Sequence, residues 1–535
     1  MKLLICGESV YDGSGCAPSA CRILAEDGIV ADVQPGPAGD FSASDFTVIR
    51  GKIVCPGFID IHRHADSAVF CLPGFGKTEL LQGITSVVSG NCGLSPVPGN
   101  HRWRDEYYRY LEPVTGLTDG KEFAFGDFHG YRKELEKLSL PVNFGFLAGA
   151  GAIRTAVKGF SKLPFSHEEM RAAKDLIRQA FDAGALGLSF GLMYQPECYS
   201  GPDELVEFAR SAGEEAGTIL CFHMRGEGDS LVESIDEVIH IAGESGLPAN
   251  ISHFKATGIK NWRNLVYRAI EKIETARSRG LKITADFYPY NGGSTTILSL
   301  IPPRFQEGGI EAMCARLTDK NEIDLLRREV GSEHSGWDNM ALSIGWDRII
   351  ISSAVLPEHQ AYCGRTVEAI AREEGYADPA ELLAELAASE QGRVGIITFS
   401  MDQNDIDTIA GLPWTCLISD SLYSNAGRPH PRLNGAFPKF LREYVREKHM
   451  LTMEQAIHKM TGMPAQRMGI KNRGILCKGS AADILVFDPE KFRDNADYAN
   501  PSALASGLDA VILNGKIVYQ NGKFNAPNGQ VLSSR

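Results

Sequence analysis

Through the middle of this 535-residue chain, apolar runs of strand length alternate with helical stretches. The runs are Ile84 to Val88, Val142 to Leu147, Ala185 to Phe190, Ile219 to Phe222, Ala249 to Ile251, Ile283 to Phe287 and Cys416 to Ile418. They are apolar throughout, as strands buried on both faces must be. Glu168 to Ala183 shows the helical period: Met170, Ala173, Leu176, Ile177, Ala180 and Phe181 share one stripe, and Gly184 ends it. Leu205 to Ala216 and Leu231 to Glu244 behave likewise. Such alternation implies a parallel sheet with helices outside it. Roughly eight units in about 400 residues predict an α/β fold, a (β/α)8 TIM-like barrel rather than an open sheet.

The chain ends differ from this middle. Runs at Leu3 to Cys6, Cys21 to Leu24, Gly28 to Val33 and Phe46 to Ile49 are short and separated by turn residues. Ala482 to Asp488 and Leu508 to Tyr519 have the same texture, with Asn514-Gly515 as a hairpin turn. Neither end is long enough to bury a core alone, so 1–55 and 475–535 are expected to pair into one small β-sandwich domain. The barrel is then 56–474. Gly292-Gly293, Pro302-Pro303 and Gly308-Gly309 interrupt its rhythm, which predicts an insertion at about 291–345, placed as a lid.

Composition excludes several function classes. A net charge of -13 argues against nucleic acid as a partner. No run approaches the roughly 18 apolar residues of a membrane helix. The N-terminus is too short in apolar residues for a signal peptide. The twelve cysteines show no Cys-x-x-Cys spacing. Reduced thiols and a soluble, cytoplasmic protein are expected, with Cys55, Cys71, Cys198 and Cys221 as small buried hydrophobes.

In a barrel of this kind, reactive groups sit where strands end at the C-terminal face. Phe58 to Ile61 runs into His62 and His64, whose side chains point the same way along an extended chain. Ile84 to Val88 leads through Ser89-Gly90-Asn91 to Cys92. Ile219 to Phe222 ends in His223, Asn250 to Ser252 in His253, and Cys416 to Ser419 in Asp420. Singly, each is as readily a structural residue. Together, imidazoles, a thiol and a carboxylate converging on one axis suit zinc.

Pro56-Gly57-Phe58-Ile59-Asp60-Ile61-His62-Arg63-His64 resembles the metal motif of the amidohydrolase superfamily. Gly90-Asn91-Cys92-Gly93-Leu94-Ser95, Gly184 to Tyr194, His223-Met224-Arg225, Ser252-His253-Phe254-Lys255, Tyr288-Pro289-Tyr290, Ser419-Asp420 and His430-Pro431-Arg432 narrow the likeness. Lys459-Met460-Thr461-Gly462 and Arg473 to Asp483 extend it. Over nearly the full chain these resemble the N-acyl-D-amino-acid deacylases (D-aminoacylases). The resemblance implies zinc held tightly by Cys92, His223 and His253, with His62 and His64 at a second, weaker position. It implies Asp420 as the catalytic base, and Lys255, Tyr288, Ser294 and Arg432 as the anchor for a small substrate's α-carboxylate. The fourth run offers no lysine to bridge two metals as a carbamate, and Cys92 takes that place.

The implied reaction is zinc-dependent hydrolysis of the amide of N-acyl-D-amino acids. A cyclic-amide hydrolase of dihydroorotase or hydantoinase type shares the chemistry but expects the missing lysine. A metal-free scaffold of the same fold expects eroded ligands. From the residues alone, Lys255 and Arg432 also fit solvated surface charges, and Tyr288 and Ser294 fit loop packing. Arg225 and Glu227 fit either ligand orientation or a loop salt bridge. Phe254 and Ala150 replace histidines common in the family, which directs attention to pocket shape and substrate range.

Overall fold

Eight parallel strands close into a barrel in the computed structural model, which describes residues 2–36, 46–116, 123, 125–213, 217–334, 336–423 and 427–533. Phe58–Asp60 pairs with Ile84–Ser89, and that strand with Asn143–Phe146. Past Leu147 the third strand continues as Ala148–Gly149, which pairs with Gly187–Gly191. Ile219–His223, Ala249–Ile251, Ile283–Phe287 and Thr415–Leu417 follow in order. Closure comes from a parallel bridge between Arg63 and Ser421. There the His64 amide donates to the Ser421 carbonyl and the Asp420 amide to the His62 carbonyl, each at 3.0 Å.

The predicted helices form the outer layer. His167–Asp182 starts at a capping box, in which Ser166 accepts from the Glu169 amide and Glu169 accepts from the Ser166 amide. Its buried stripe includes Ala173, Ile177, Ala180 and Phe181. Leu231–Ser245 matches its expected span. Pro202–Ala212 is shorter than expected, and residues 214–216 of that expectation lie outside the described residues. Phe254, one departure from the family pattern, is buried against Trp414 (ring centroids 6.3 Å), and Ala150 is buried at the start of Ala150–Lys158.

The chain ends meet in one continuous eight-stranded sheet. Ile484–Phe487 pairs antiparallel with the end of Thr47–Pro56, which joins the C-terminal strands to the N-terminal ones. Leu3, Ile5, Ile23, Val54, Ile484 and Ile512 form a core distinct from that of the barrel. Asn514 and Gly515 have φ of 46° and 76°, the left-handed pair that a two-residue hairpin turn needs.

The insertion is longer than the 291–345 expected from the sequence. Gly293–Thr296 pairs antiparallel with Gly395–Thr398, which pairs with Ile349–Ser353. Helices Ile310–Leu317, Lys320–Val330, Val367–Glu374 and Pro379–Ser389 pack with this sheet around Leu300, Phe305, Leu326, Ile351 and Leu383. The unit therefore reaches Thr398. Its sheet joins segments about a hundred residues apart, and local pattern carries no sign of such pairing. Asp338 clasps the insertion to the barrel, accepting from the Gly228 amide (2.7 Å) and from the amide and hydroxyl of Ser230 (3.1 and 2.8 Å).

No helix among the described residues is long and apolar enough to cross a membrane. All twelve cysteines are free; Cys55 and Cys221 are buried, whereas Cys71 and Cys198 are only half-buried.

Arg63 locks the seam between the first and eighth strands. Its fully buried guanidinium meets Asp60 Oδ2 at 3.2 Å, Glu79 Oε1 at 2.9 Å, the Tyr423 hydroxyl at 2.5 Å, Ser419 Oγ at 3.1 Å and the Leu433 carbonyl at 3.3 Å. Removing it would leave Asp60 and Glu79 buried without their cation. Arg63→Ala is therefore expected to cost about 3–5 kcal/mol, read as a lowered urea midpoint. An unchanged midpoint would show that the seam closes without it.

Candidate metal centre

The strand ends bring His62, His64, Cys92, His223, His253 and Asp420 to one end of the barrel, all buried. Among the described residues, their donor atoms form three overlapping groups in which all atoms lie within 4.8 Å of one another. These are His62, His64 and Cys92; Cys92, His223 and His253; and His62, His253 and Asp420. Cys92 Sγ lies 3.3 Å from His62 Nε2 and 3.6 Å from His253 Nε2. Asp420 Oδ1 lies 3.4 Å from His62 Nε2 and 3.6 Å from His64 Nε2. Cys92, His62 and His253 each belong to two of these groups, so the three sets form one continuous cluster.

Three of these residues have backbones that L-amino acids seldom adopt: φ is 56° at Cys92, 38° at His253 and 50° at Asp420. Cys92 sits in a turn flanked by Gly90 and Gly93, both also at positive φ. The His253 amide donates to Asp286 Oδ1 at 2.5 Å, and the Asp420 amide to His62 as described. The turns lift each side chain off its strand toward the axis.

Burial holds His62, His223 and His253 well below the usual imidazole range, so they present neutral nitrogens. Burial also pushes the Cys92 thiol up. Asp420 goes the other way: burial would raise it, but the Arg432 guanidinium, 2.8 Å from Oδ2, holds it well below the carboxylate range. Neutral nitrogens, a sulfur and a carboxylate therefore face one another in a dry space. The Nδ1 atoms of His62, His64 and His223 have no hydrogen-bond partner. Such a donor set is costly to bury without a cation and matches the N, S and O preferences of zinc. The residues fit a metal ion.

The anchor candidates gather at the same place. Lys255, Tyr288 and Ser294 line one pocket with His64, Cys92, His223, His253 and Asp420. Arg432 stands behind Asp420, donates to the Ser294 carbonyl at 3.2 Å and lies over the Tyr288 ring at 4.6 Å. His430 is no ligand: its Nδ1 accepts from the Arg432 amide and its Nε2 faces the Gly292 carbonyl at 2.9 Å. Neither Phe254 nor Ala150 lines the pocket, so these departures do not reshape it.

Two acids carry roles that the sequence reading did not assign. Glu227 Oε1 is 2.8 Å from His253 Nδ1 and 2.5 Å from Lys255 Nζ, so one carboxylate orients both side chains. Its place four residues beyond His223 was the available signal. Asp286, pushed up to about 7 by burial, accepts from Asn250 and from the His253 amide. It lies on Ile283–Phe287, two residues before Tyr288, the polar residue that the sequence singles out there.

Outer carboxylates of this kind typically contribute 10–100-fold to metal affinity. Glu227→Gln is expected to weaken zinc by about that factor in a chelator competition. Cys92→Ala should lower zinc content outright, and unchanged content would make that thiol a bystander.

Residues 49–519 match the family model described as "Amidohydrolase family". The chain is 32% identical to N-acyl-D-glutamate deacylase of Alcaligenes xylosoxydans xylosoxydans, covering 99% of this chain and 96% of that one. It is 30% identical to D-aminoacylase of the same organism, at 99% and 97% coverage. A solved structure of N-acyl-D-glutamate deacylase from Bordetella bronchiseptica, complexed with zinc and a phosphonate inhibitor, superposes with a TM-score of 0.82 at 30% identity. That match covers 99% of both chains. With a family model matched over residues 49–519 and relatives aligned over nearly the full chain, this chain belongs to the amidohydrolase family, in the branch of the D-aminoacylases.

Proposed function

We propose that this chain is a zinc-dependent deacylase that hydrolyses the amide bond of N-acyl-D-amino acids to a D-amino acid and a carboxylate. The observation that carries this reading is the juxtaposition of the donor cluster with two cations. Cys92 adjoins a pocket lined by Lys255, with Arg432 directly behind Asp420, and the two cations together make that end of the pocket attractive to one carboxylate. Cys92, His223 and His253 would hold the tighter zinc, and His62 and His64, with Cys92, a second and weaker one. When bound, zinc polarises the amide carbonyl and lowers the pKa of water.

The protein's own groups do the rest. Asp420, kept ionised beside Arg432, accepts a proton from the attacking water as the C–O bond forms. It returns that proton to the amine nitrogen as the C–N bond breaks. Arg432 offers a planar, two-pronged partner for the α-carboxylate, and Lys255 a point charge. The Tyr288 ring carries both cations, with Lys255 Nζ 5.9 Å from its centroid. Ser294 supplies a polar edge to the same wall. With the carboxylate fixed there, only one hand of the α-carbon can present its amide to Asp420.

The fourth strand ends in Gly191, Leu192 and Met193, with no lysine to carbamylate, which weighs against a cyclic-amide hydrolase. Intact ligands weigh against a metal-free scaffold. Twelve free cysteines support a reducing, cytoplasmic setting, and the partner is a small molecule rather than nucleic acid or membrane.

The test is a panel of N-acetyl-D- and N-acetyl-L-amino acids with metal counted per chain. D-substrates are expected to exceed their L-forms by at least ~100-fold in kcat/KM, as misplacement of a reacting group costs. No hydrolysis of any D-substrate by the zinc-loaded chain overturns the reading. Asp420→Asn should lose about 10²–10⁴-fold in kcat while retaining zinc, and retained turnover would remove Asp420 as the base.

A further inference from the structure

Relatives acting on acidic and on other D-amino acids are about equally similar to this chain, so identity alone does not name its substrate. The pocket wall does. We infer that the site selects D-amino acids with uncharged aliphatic or thioether side chains over D-glutamate and D-aspartate. This rests on the deacylase reading.

The argument begins with charge. Lys255 is the one lysine or arginine among the pocket's described lining residues, and Arg432 joins it from behind Asp420. Each already faces an acid, Lys255 with Glu227 and Arg432 with Asp420. Both are engaged by the α-carboxylate in the proposed mode. A second carboxylate on the substrate side chain would be desolvated beside Glu227 and Asp420 without a cation of its own. Burying a charge without a partner is among the costliest changes a site can make.

The remaining wall favours an apolar group. Leu94 and Val114 belong to the hydrophobic core of the insertion, and Tyr194, Met340 and Leu422 pack against that core. All five line the pocket, and Met193 joins them beside His223, with Sδ 3.3 Å from His223 Nε2. The wall is therefore continuous with a packed core rather than scattered. Met340 follows closely after Asp338, whose clasp on Gly228 and Ser230 fixes that end of the insertion over the pocket. The polar remainder consists of the hydroxyls of Thr257, Thr295, Thr398 and Ser400, which carry no charge. Two methionines give the wall soft, adaptable surfaces, which suits side chains of several shapes.

The experiment compares kcat/KM for N-acetyl-D-methionine, N-acetyl-D-leucine, N-acetyl-D-glutamate and N-acetyl-D-aspartate on the full-length, zinc-loaded chain. The two neutral substrates are expected to exceed the two acidic ones by roughly 100-fold or more. Turnover of either acidic substrate as fast as the neutral pair overturns the inference while leaving the deacylase reading intact. Failure of all four overturns that reading and the inference with it. Met340→Arg should raise the glutamate-to-methionine ratio at least about tenfold by supplying the missing cation. An unchanged ratio in the folded variant would remove Met340 from the side-chain wall. The wild-type ratio decides the matter if that variant does not fold.

Discussion

Everything at the reactive end of this molecule depends on how the barrel closes. The first and eighth strands share few backbone hydrogen bonds, and the seam is held by one buried guanidinium with five partners. Arg63 lies between His62 and His64, and it contacts Ser419, which precedes Asp420. The cation that closes the fold therefore also sets two histidines against the Asp420 carboxylate. Because Asp60, Glu79 and Arg63 are all out of water, removing any one leaves the others buried without a counter-charge.

The centre itself stores cost. Three of its residues adopt left-handed backbone, at about 1–3 kcal/mol each, and several imidazoles are buried without full hydrogen bonding. Backbone donors and acceptors from neighbouring strand ends offset part of this, as at His253 and Asp420. A cation offsets the rest, since neutral nitrogens and a thiol held protonated by burial become favourable once a metal takes the sulfur as thiolate. A zinc ion held by these residues would relieve that cost. Glu227 extends the cluster outward, because one carboxylate holds both His253 and Lys255.

Much of this was legible along the chain because it is local. A strand buried on both faces must be apolar throughout, and a ligand at its end must be polar, so His62, His64, Cys92, His223, His253 and Asp420 stood out by position alone. Asn514-Gly515 and the helix end at Gly184 were readable for the same reason, since a turn or a helix end is decided within a few residues. Asp286 escaped notice because it looks like any strand residue until its partners, Asn250 and the His253 amide, are seen. Glu227 remained ambiguous because orienting a ligand and pairing with a lysine leave the same mark in sequence, and here it does both.

What needed the folded chain was everything carried by distant pairs. The insertion reaches Thr398 because its strands find one another across about a hundred residues, a pairing stabilised by a shared core and not by any local motif. The seam at Arg63 joins positions more than three hundred residues apart, and the pocket wall joins Leu94 to Met340 and Leu422. The chemistry of hydrolysis was therefore written in residue types at strand ends, where the backbone alone dictates direction. The preference for one side chain over another was not, because it depends on which surfaces the insertion brings over the pocket, and only packing in three dimensions settles that.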